Sequence, residues 1–251
     1  MAAGPLGGYG GPVLKKQLVL CTKMPQEAAE KGADMTKKHM IISIGRECGC
    51  GGHEIGEKIA EHYGLKLYDS NLVEILAKRY DLDQEKLMAL EERVTGHLLP
   101  ARQNGFAKQY GSLMNAFTKS DRLFMMERNL IRELAQKESF VIVGRAANAI
   151  LADNPDVLRV YVYASQEFRL VQARKRFNLN SDEELLRKIR NVDKVRRNYF
   201  NYYSDKVWAS SDAHDFMIDT SLLGIDDTVD VILGIADRKF NSKVVSITKT
   251  A

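Results

Sequence analysis

The residues most able to do chemistry lie together in one glycine-rich segment. It reads Arg46-Glu47-Cys48-Gly49-Cys50-Gly51-Gly52-His53. Glycines lack Cβ, so successive backbone N–H groups in such a turn can converge on phosphate oxygens, and a helix that begins near His53 adds the positive end of its dipole. The segment therefore predicts a phosphate-binding turn. The residues alone leave open the alternative of a tight glycine turn before a helix.

The segment departs from the phosphate-loop pattern G-x-x-x-x-G-K-[ST]. Arg46 stands at the first glycine, Gly52 at the lysine and His53 at the hydroxyl residue. Cys48 and Cys50 form a C-x-C pair without a second cysteine pair, which is poor spacing for zinc. We interpret His53 as a polar residue in the first helical turn, facing phosphate or solvent, rather than as a metal ligand or an acid–base group.

Further candidates are charged residues at predicted strand ends and in one basic helix. Arg145 follows V-I-V-G, at the edge where a parallel sheet binds ligands, which favours a phosphate contact over a surface charge. Asp69 closes the run L-K-L-Y-D and can cap the helix that follows. In the basic helix, Arg187, Lys188 and Arg190 are interpreted as a solvated face.

Strands and helices alternate along the chain and would position these residues. Short apolar, β-branched runs predict strands at 41–44, 65–69, 140–144, 158–164 and 216–221. Between them we expect a helix after the glycine segment, a mostly helical stretch over 70–138, a helix capped by Ser165, a basic helix over 181–203 and a closing helix over 226–239. This order predicts a parallel sheet with helices on both faces.

Composition and charge limit the class of protein. Of 251 residues, 45% are apolar and 28% are charged, as in globular domains. The formal net charge of +4 is too small and mixed to indicate nucleic acid binding, but it suits anionic small molecules. Three cysteines that cannot all pair predict a reduced, cytoplasmic protein, and no apolar run predicts a membrane span. Residues 1–38 predict a disordered arm and residues 39–251 a domain.

Five segments, in this order, resemble the cytidylate kinase-like family of P-loop kinases. They are SIGRECGCGGHEIGEKIAEHYGLKLYD, FVIVGRAANAIL, RVYVYASQEFR, DKVRRNYFNYYSDKVW and IDTSLLG, all within residues 40–240. The resemblance implies a three-layer α/β fold of the P-loop NTPase type with a parallel sheet, a helical acceptor-binding insertion at 70–138 and a lid at 178–210. It also implies transfer of a phosphoryl group from ATP, with Mg²⁺, to a nucleoside monophosphate, CMP or dCMP being the first expectation.

The resemblance assigns roles to individual residues. For the phosphate loop it implies Arg46, Gly49, Cys50, Gly51, Gly52, His53 and Glu54. For substrate binding it implies Asp69, Arg145, Arg169 and Arg174. For the transferring phosphoryl group it implies Asp193, Arg196 and Arg197 on the lid. It identifies no metal ligand and no oligomeric state.

The sequence also departs from the family pattern. Cys50 replaces a serine and His53 an arginine in the phosphate loop, while Val143 and Ala146 stand where cytidylate kinases carry the two aspartates of D-G-R-D. Two alternatives therefore stay open: a nucleotide-binding regulatory protein without transfer activity, and a kinase of a different small acceptor. The aromatic residues of the lid region are interpreted as packing against the body rather than as stacking on a base; they are Tyr199, Phe200, Tyr202, Tyr203 and Trp208.

Overall fold

The computed structural model describes residues 39–88, 110–177, 179 and 181–241, with the backbone alone over 110–120. The predicted arm at 1–38 lies outside the described residues, and so does the part of the predicted insertion over 89–109.

Five strands form one sheet, and each neighbouring pair is parallel. In chain order they are β1 (Ile41–Arg46), β2 (Lys66–Tyr68), β3 (Phe140–Val143), β4 (Val157–Tyr163) and β5 (Phe216–Asp219). Their order across the sheet is β2-β3-β1-β4-β5. The predicted strands and their parallel arrangement are confirmed, with ends that differ by one or two residues.

Helices connect the strands. They are α1 (Gly52–Tyr63), α2 (Asn71–Tyr80), α3 (Tyr110–Lys137), α4 (Ala147–Ile150), α5 (Gln166–Arg176), α6 (Asp182–Tyr203) and α7 (Thr220–Asn241). The predicted cap is confirmed, since the Ser165 hydroxyl accepts a hydrogen bond from the Phe168 N–H at 3.3 Å. The predicted closing helix is the regular part of α7, which follows a break at Gly224, where φ is 81°.

The two largest core clusters of the described residues lie on opposite faces of the sheet. Along β1, Ile41 packs into a cluster with residues of α2 and α3, while Ile42 and Ile44 pack into a cluster with residues of α1 and α7. Successive side chains of a strand point to opposite faces, so a continuous apolar run gives a strand buried on both sides. The result is a three-layer α/β fold with a parallel sheet, as the resemblance implied.

The carboxyl ends of the central strands carry the candidate residues. In β1 and β3, Ile44 pairs with Val143, so the glycine segment after β1 lies beside residues 144–146 after β3. β2 lies next to β3 and ends just before Asp69. The fold thereby brings together candidate residues that are far apart in the sequence.

Candidate active site

The glycine segment is a tight turn that leads directly into α1. Gly49 has φ of 81°, and a Cβ on it would lie 2.7 Å from the carbonyl oxygen of Arg169, so this position favours glycine in both conformation and space. Helix α1 begins at Gly52 with no side-chain cap. The N–H groups of its first turn therefore have no partner within the helix and are suited to bind an anion.

An ion-pair network behind the turn holds it in place. Asp193 of α6 accepts a hydrogen bond from the Cys48 N–H at 2.7 Å and is ion-paired with Arg169 of α5. Arg169 also donates to the Cys48 carbonyl at 2.7 Å and pairs with Glu47 at 3.2 Å. Burial raises the pKa of Glu47, and Arg169 opposes that rise. The structure thus places Arg169 and Asp193 in the support of the turn, with their polar groups already bonded to it.

Three guanidinium groups converge where β1 and β3 end. Arg46 extends from the end of β1 across Gly144, so close that a Cβ on Gly144 would lie 1.6 Å from Arg46 Nη1. Arg196 donates to the Arg46 carbonyl at 3.3 Å. Burial and the neighbouring charge of Arg196 lower the pKa of Arg46 to about 9; Asp69 raises it and Arg145 lowers it further. A bound anion would relieve the repulsion between these cations.

Arg145 is held by groups on two neighbouring elements. Its Nε donates to the Asp69 carbonyl at 3.2 Å, and its Nη1 donates to Glu127 of α3 at 2.9 Å. Glu127 is only 2% exposed and also accepts from the Tyr199 hydroxyl at 2.8 Å. Burial, followed by the charge of Glu127, raises the pKa of Tyr199 well above its ordinary value.

The backbone after β3 is strained where it presents Arg145. Gly144, Arg145 and Ala146 all have positive φ, at 78°, 58° and 51°. Residues other than glycine rarely adopt this conformation, and a strained segment of this kind persists where the surrounding structure fixes it. The strain supports the prediction that Arg145 is a ligand-binding residue rather than a surface charge.

Asp69 and His53 form a pair at the mouth of the site. His53 Nδ1 lies 2.9 Å from Asp69 Oδ2, and Asp69 Oδ1 lies 3.5 Å from Arg46 Nη2. The helix-cap interpretation of Asp69 is wrong, because α2 begins after Ser70 with no side-chain cap and the Asp69 carboxylate turns instead toward Arg46 and His53. His53 remains half exposed, and its Nε2 lies 3.3 Å from Glu57.

One cavity of about 1010 Å³ joins these features. The predicted site residues that line it are Arg46, Gly49, Gly51, Gly52, His53, Glu54, Asp69, Arg145 and Arg196. Glu127 also lines it, although the sequence analysis missed this residue. Its only sequence signal is a carboxylate within an amphipathic helical stretch, which is typical of a solvated face.

Four predicted site residues lie apart from the cavity wall, in addition to Arg169. Arg174 is exposed and ion-paired with Asp182, and Arg197 lies over the ring of Trp208 with Cζ 5.3 Å from the ring centroid. Cys50 is fully buried and donates to the Glu47 carbonyl at 3.2 Å, and burial raises the pKa of its thiol to about 11. The fourth residue is Asp193, whose carboxylate binds the backbone of the glycine turn from behind.

Four of the five aromatic residues at 199–208 pack against the body, and the fifth, Tyr202, is exposed. Tyr203 stacks on Phe124 of α3 with ring centroids 3.9 Å apart, and Tyr199 packs edge-on against the same ring. Phe200 and Trp208 are buried in a cluster with Tyr161 of β4.

The donor set suits a magnesium ion that arrives with a nucleotide. Within the described ranges, no three His, Cys, Asp or Glu side chains gather as metal ligands. Mg²⁺ commonly takes one or two carboxylates and completes its shell with phosphate oxygens and water. Asp69 and Glu54 line the cavity and could supply such a carboxylate.

The chain is similar to known proteins in both sequence and fold. The sequence model of the cytidylate kinase-like family matches residues 41–222. A cytidylate kinase from Desulfurococcus amylolyticus is 24% identical over 204 residues, which cover 80% of this chain and 95% of the relative. One from Pyrococcus horikoshii is 27% identical over 188 residues, which cover 74% and 83%. The crystal structure of an uncharacterized protein from Eubacterium ventriosum superposes with a TM-score of 0.60 at 27% identity, covering 79% of this chain and 99% of that one.

Among the described residues, no helix is both long and apolar enough to cross a membrane.

Proposed function

The chain belongs to the cytidylate kinase-like family, and we propose on that premise that it transfers the γ-phosphoryl group of ATP to a nucleoside monophosphate, with CMP or dCMP as the first candidate acceptor. Family membership supports a nucleotide kinase, and the curated relatives are named cytidylate kinases. The observation that carries the proposal is the convergence of Arg46, Arg145 and Arg196 on one cavity beside a glycine turn. We place the activity in the cytoplasm, which accords with the free thiols of Cys48 and Cys50.

The geometry suits phosphoryl transfer because this reaction needs mainly positioning and charge stabilisation from the protein. The N–H groups of the glycine turn and of the first turn of α1 would hold the phosphates of ATP. Mg²⁺, when bound, would neutralise charge on the donor phosphates.

The arginines divide by position. Arg145 lies next to Asp69, on the side of the cavity formed by β2 and β3, and would grip the acceptor phosphate. Arg46, which the resemblance implies for the phosphate loop, extends across Gly144 toward Asp69 and would contact phosphate from that side. Arg196 reaches the Arg46 carbonyl from α6, between that side and the glycine turn, and would stabilise the transferring group. Arg169 and Asp193 would act as positioning residues, because their contacts support the turn.

A second candidate function is nucleotide binding without transfer, as in a regulatory protein. The observation that favours it is Gly52, which stands where the phosphate loop carries its lysine. A Cβ on Gly52 would lie 2.7 Å from Arg46 Cβ, so the turn has no room for that lysine. Without that lysine, the positive charge beside the donor phosphates would have to come from Arg46, which approaches from a different direction.

A coupled assay tests the proposal. Purified full-length protein with ATP and Mg²⁺ is given CMP, dCMP, UMP, AMP and GMP, together with hydroxylated small acids as non-nucleotide acceptors. We expect ADP to form fastest with CMP or dCMP. ATP binding without transfer to any acceptor would support the regulatory function, and transfer to a non-nucleotide alone would support a kinase of another acceptor.

An Arg145→Ala variant adds a test of the site. Its acceptor KM should rise about tenfold to a hundredfold, because hydrogen bonds to a charged phosphate are lost, while ATP affinity changes little. Arg187→Ala is the matched control and should leave both values unchanged, because Arg187 is exposed on α6 and forms a distant pair with Glu184 at 4.0 Å.

A further inference from the structure

A polar corner of the cavity lies beyond the arginines and has no part in the proposed phosphate chemistry. It is formed by Asn148 of α4 and His214, which precedes β5, with Phe200 and Trp208 beside them. Asn148 is 5% exposed and His214 9% exposed. Buried polar groups next to aromatic walls are a common arrangement where a cavity reads one face of a flat ligand.

Hydrogen bonds determine the orientation of both polar side chains. His214 Nδ1 lies 2.9 Å from the Ser210 carbonyl, so this nitrogen carries the proton and Nε2 is an acceptor. Asn148 Nδ2 donates to the Ala213 carbonyl at 3.2 Å and to His214 Nε2 at 3.1 Å. Both amide hydrogens of Asn148 are therefore used, and a flipped amide would place its oxygen against a carbonyl oxygen and a nitrogen lone pair.

The remaining polar atom of the amide is the acceptor oxygen Oδ1. Among the described residues, no hydrogen bond reaches Asn148 Oδ1. The same residues contain one polar side-chain atom that is both sealed from solvent and unpartnered, Tyr161 Oη, so Asn148 Oδ1 is not fully sealed. Asn148 is one of the residues that line the cavity, so a ligand bound there lies next to this side chain.

The corner lies within reach of a ligand bound at Arg145. Asn148 follows Arg145 by three residues, which limits their Cα separation to about 11 Å. A phosphate held by Arg145 and a base held near Asn148 can thus belong to one nucleotide. The buried rings of Phe200 and Trp208 give that part of the cavity an apolar wall.

We propose that Asn148 Oδ1 selects acceptor nucleotides whose base presents an amino group, and that it discriminates the 4-amino group of cytosine from the 4-oxo group of uracil. The inference rests on the proposed function, because it names the residue that would recognise the base of the acceptor nucleotide. An amino group donates a hydrogen bond to the fixed oxygen. An oxo group places two acceptors against each other and leaves Oδ1 unpaired.

Three ligands test the inference on the wild-type protein by calorimetry, in the presence of a non-hydrolysable ATP analogue. They are CMP, UMP and the 2-pyrimidinone ribonucleoside monophosphate, in which hydrogen replaces the amino group. We expect about tenfold weaker binding for the pyrimidinone nucleotide and about a hundredfold for UMP. Equal dissociation constants for CMP and UMP would overturn the inference.

A variant pair tests the residue. Asn148→Ala should weaken CMP binding to the level of UMP and leave UMP binding nearly unchanged, whereas Asn241→Ala, exposed at the end of α7, should keep the wild-type ratio. Persistence of the CMP preference in a folded Asn148→Ala protein would overturn the inference. The transfer assay is separate: phosphorylation of CMP and UMP at equal efficiency sinks this inference alone, and failure to phosphorylate any monophosphate sinks the proposed function.

Discussion

Arg196 and Arg197 are consecutive in α6, yet their side chains enter different surroundings. Arg196 is partly buried, lines the cavity and donates to the Arg46 carbonyl at 3.3 Å. Arg197 is exposed and lies over Trp208. The resemblance implies both for the transferring group; of the two, Arg196 lines the cavity and Arg197 does not.

The two arginines should therefore differ in kinetics. Arg196→Ala should lower kcat about a thousandfold, because an arginine that stabilises charge on a transferring phosphoryl group acts mainly in the transition state. Arg197→Ala should lower kcat less than about tenfold and Tm by about 1–3 °C, through loss of an exposed cation–π contact. Steady-state assays with saturating ATP and CMP measure both. Equal losses of kcat in the two variants would refute this division.

His214 gives a second prediction at this scale, in the pH dependence of stability. Burial lowers the pKa of His214, and the hydrogen bond to the Ser210 carbonyl opposes this effect. In the unfolded chain the imidazole gains a proton as pH falls below about 6.5. In the folded protein the lowered pKa opposes this protonation. The free energy of unfolding therefore decreases as the pH falls. His214→Gln should flatten the decline of Tm between about pH 7.5 and 5.5. An unchanged slope in a calorimetric series would rule out this role of His214.

At the scale of elements, helix α6 connects the glycine turn to the acceptor side. Its Asp193 holds the Cys48 N–H, and its Tyr199 and Tyr203 bond to Glu127 and Asp121 of α3. The helix thus contacts both proposed substrate sites. The lid that the resemblance implies at 178–210 includes this helix and stays a prediction.

Asp193 tests the connection. Asp193→Ala should lower Tm by about 5–10 °C, because Arg169 then loses one of its two carboxylate partners in a largely buried place. Asp193→Asn keeps an acceptor for the Cys48 N–H and should cost less. Both should weaken ATP binding, since the turn loosens. Asp182→Asn, at the exposed start of α6, is the control and should change Tm by at most about 1–2 °C.

A different pattern of effects would indicate that Asp193 has the catalytic role that the resemblance implies. A large fall in kcat with unchanged Tm and unchanged ATP affinity would show that its carboxylate acts on the reacting groups. Calorimetry and steady-state kinetics on the same preparations decide between these outcomes.

The sequence predicted the elements better than the contacts between them. Strand periodicity and the Ser165 cap are local signals, so β3, β4 and α5 could be placed from a few neighbouring residues. Glu127 could not be identified, because its partners Arg145 and Tyr199 are 18 and 72 residues away. A carboxylate becomes a buried ion-pair partner only through the packing of elements, which periodicity does not encode.

At the scale of the whole molecule, the candidate site depends on contacts between distant parts of the chain. The Cys48–Asp193 and Arg46–Arg196 contacts span 145 and 150 residues. The glycine turn could be recognised from local composition, whereas the pairing of Asn148 with His214, 66 residues apart, had no signal in the sequence. The parallel sheet explains why these distant residues meet, because it brings the carboxyl ends of its strands to one edge.

A prediction at this scale concerns residues 1–38, which precede the first strand of the sheet. The first bonds of the domain come from residues beyond that segment: the Met40 N–H donates to the Ser139 hydroxyl at 2.9 Å, and the Ile41 N–H donates to the Asp156 carbonyl at 3.1 Å. Deletion of residues 1–38 keeps these bonds and all of β1. From its composition, which is Gly-rich with one short apolar cluster at 18–20, we expect this segment to bury too little surface to offset its ordering entropy. We therefore expect Tm to change by about one or two degrees and the KM values for ATP and acceptor to stay the same; a drop of more than about 5 °C in calorimetry would show that the segment contributes to the folded domain.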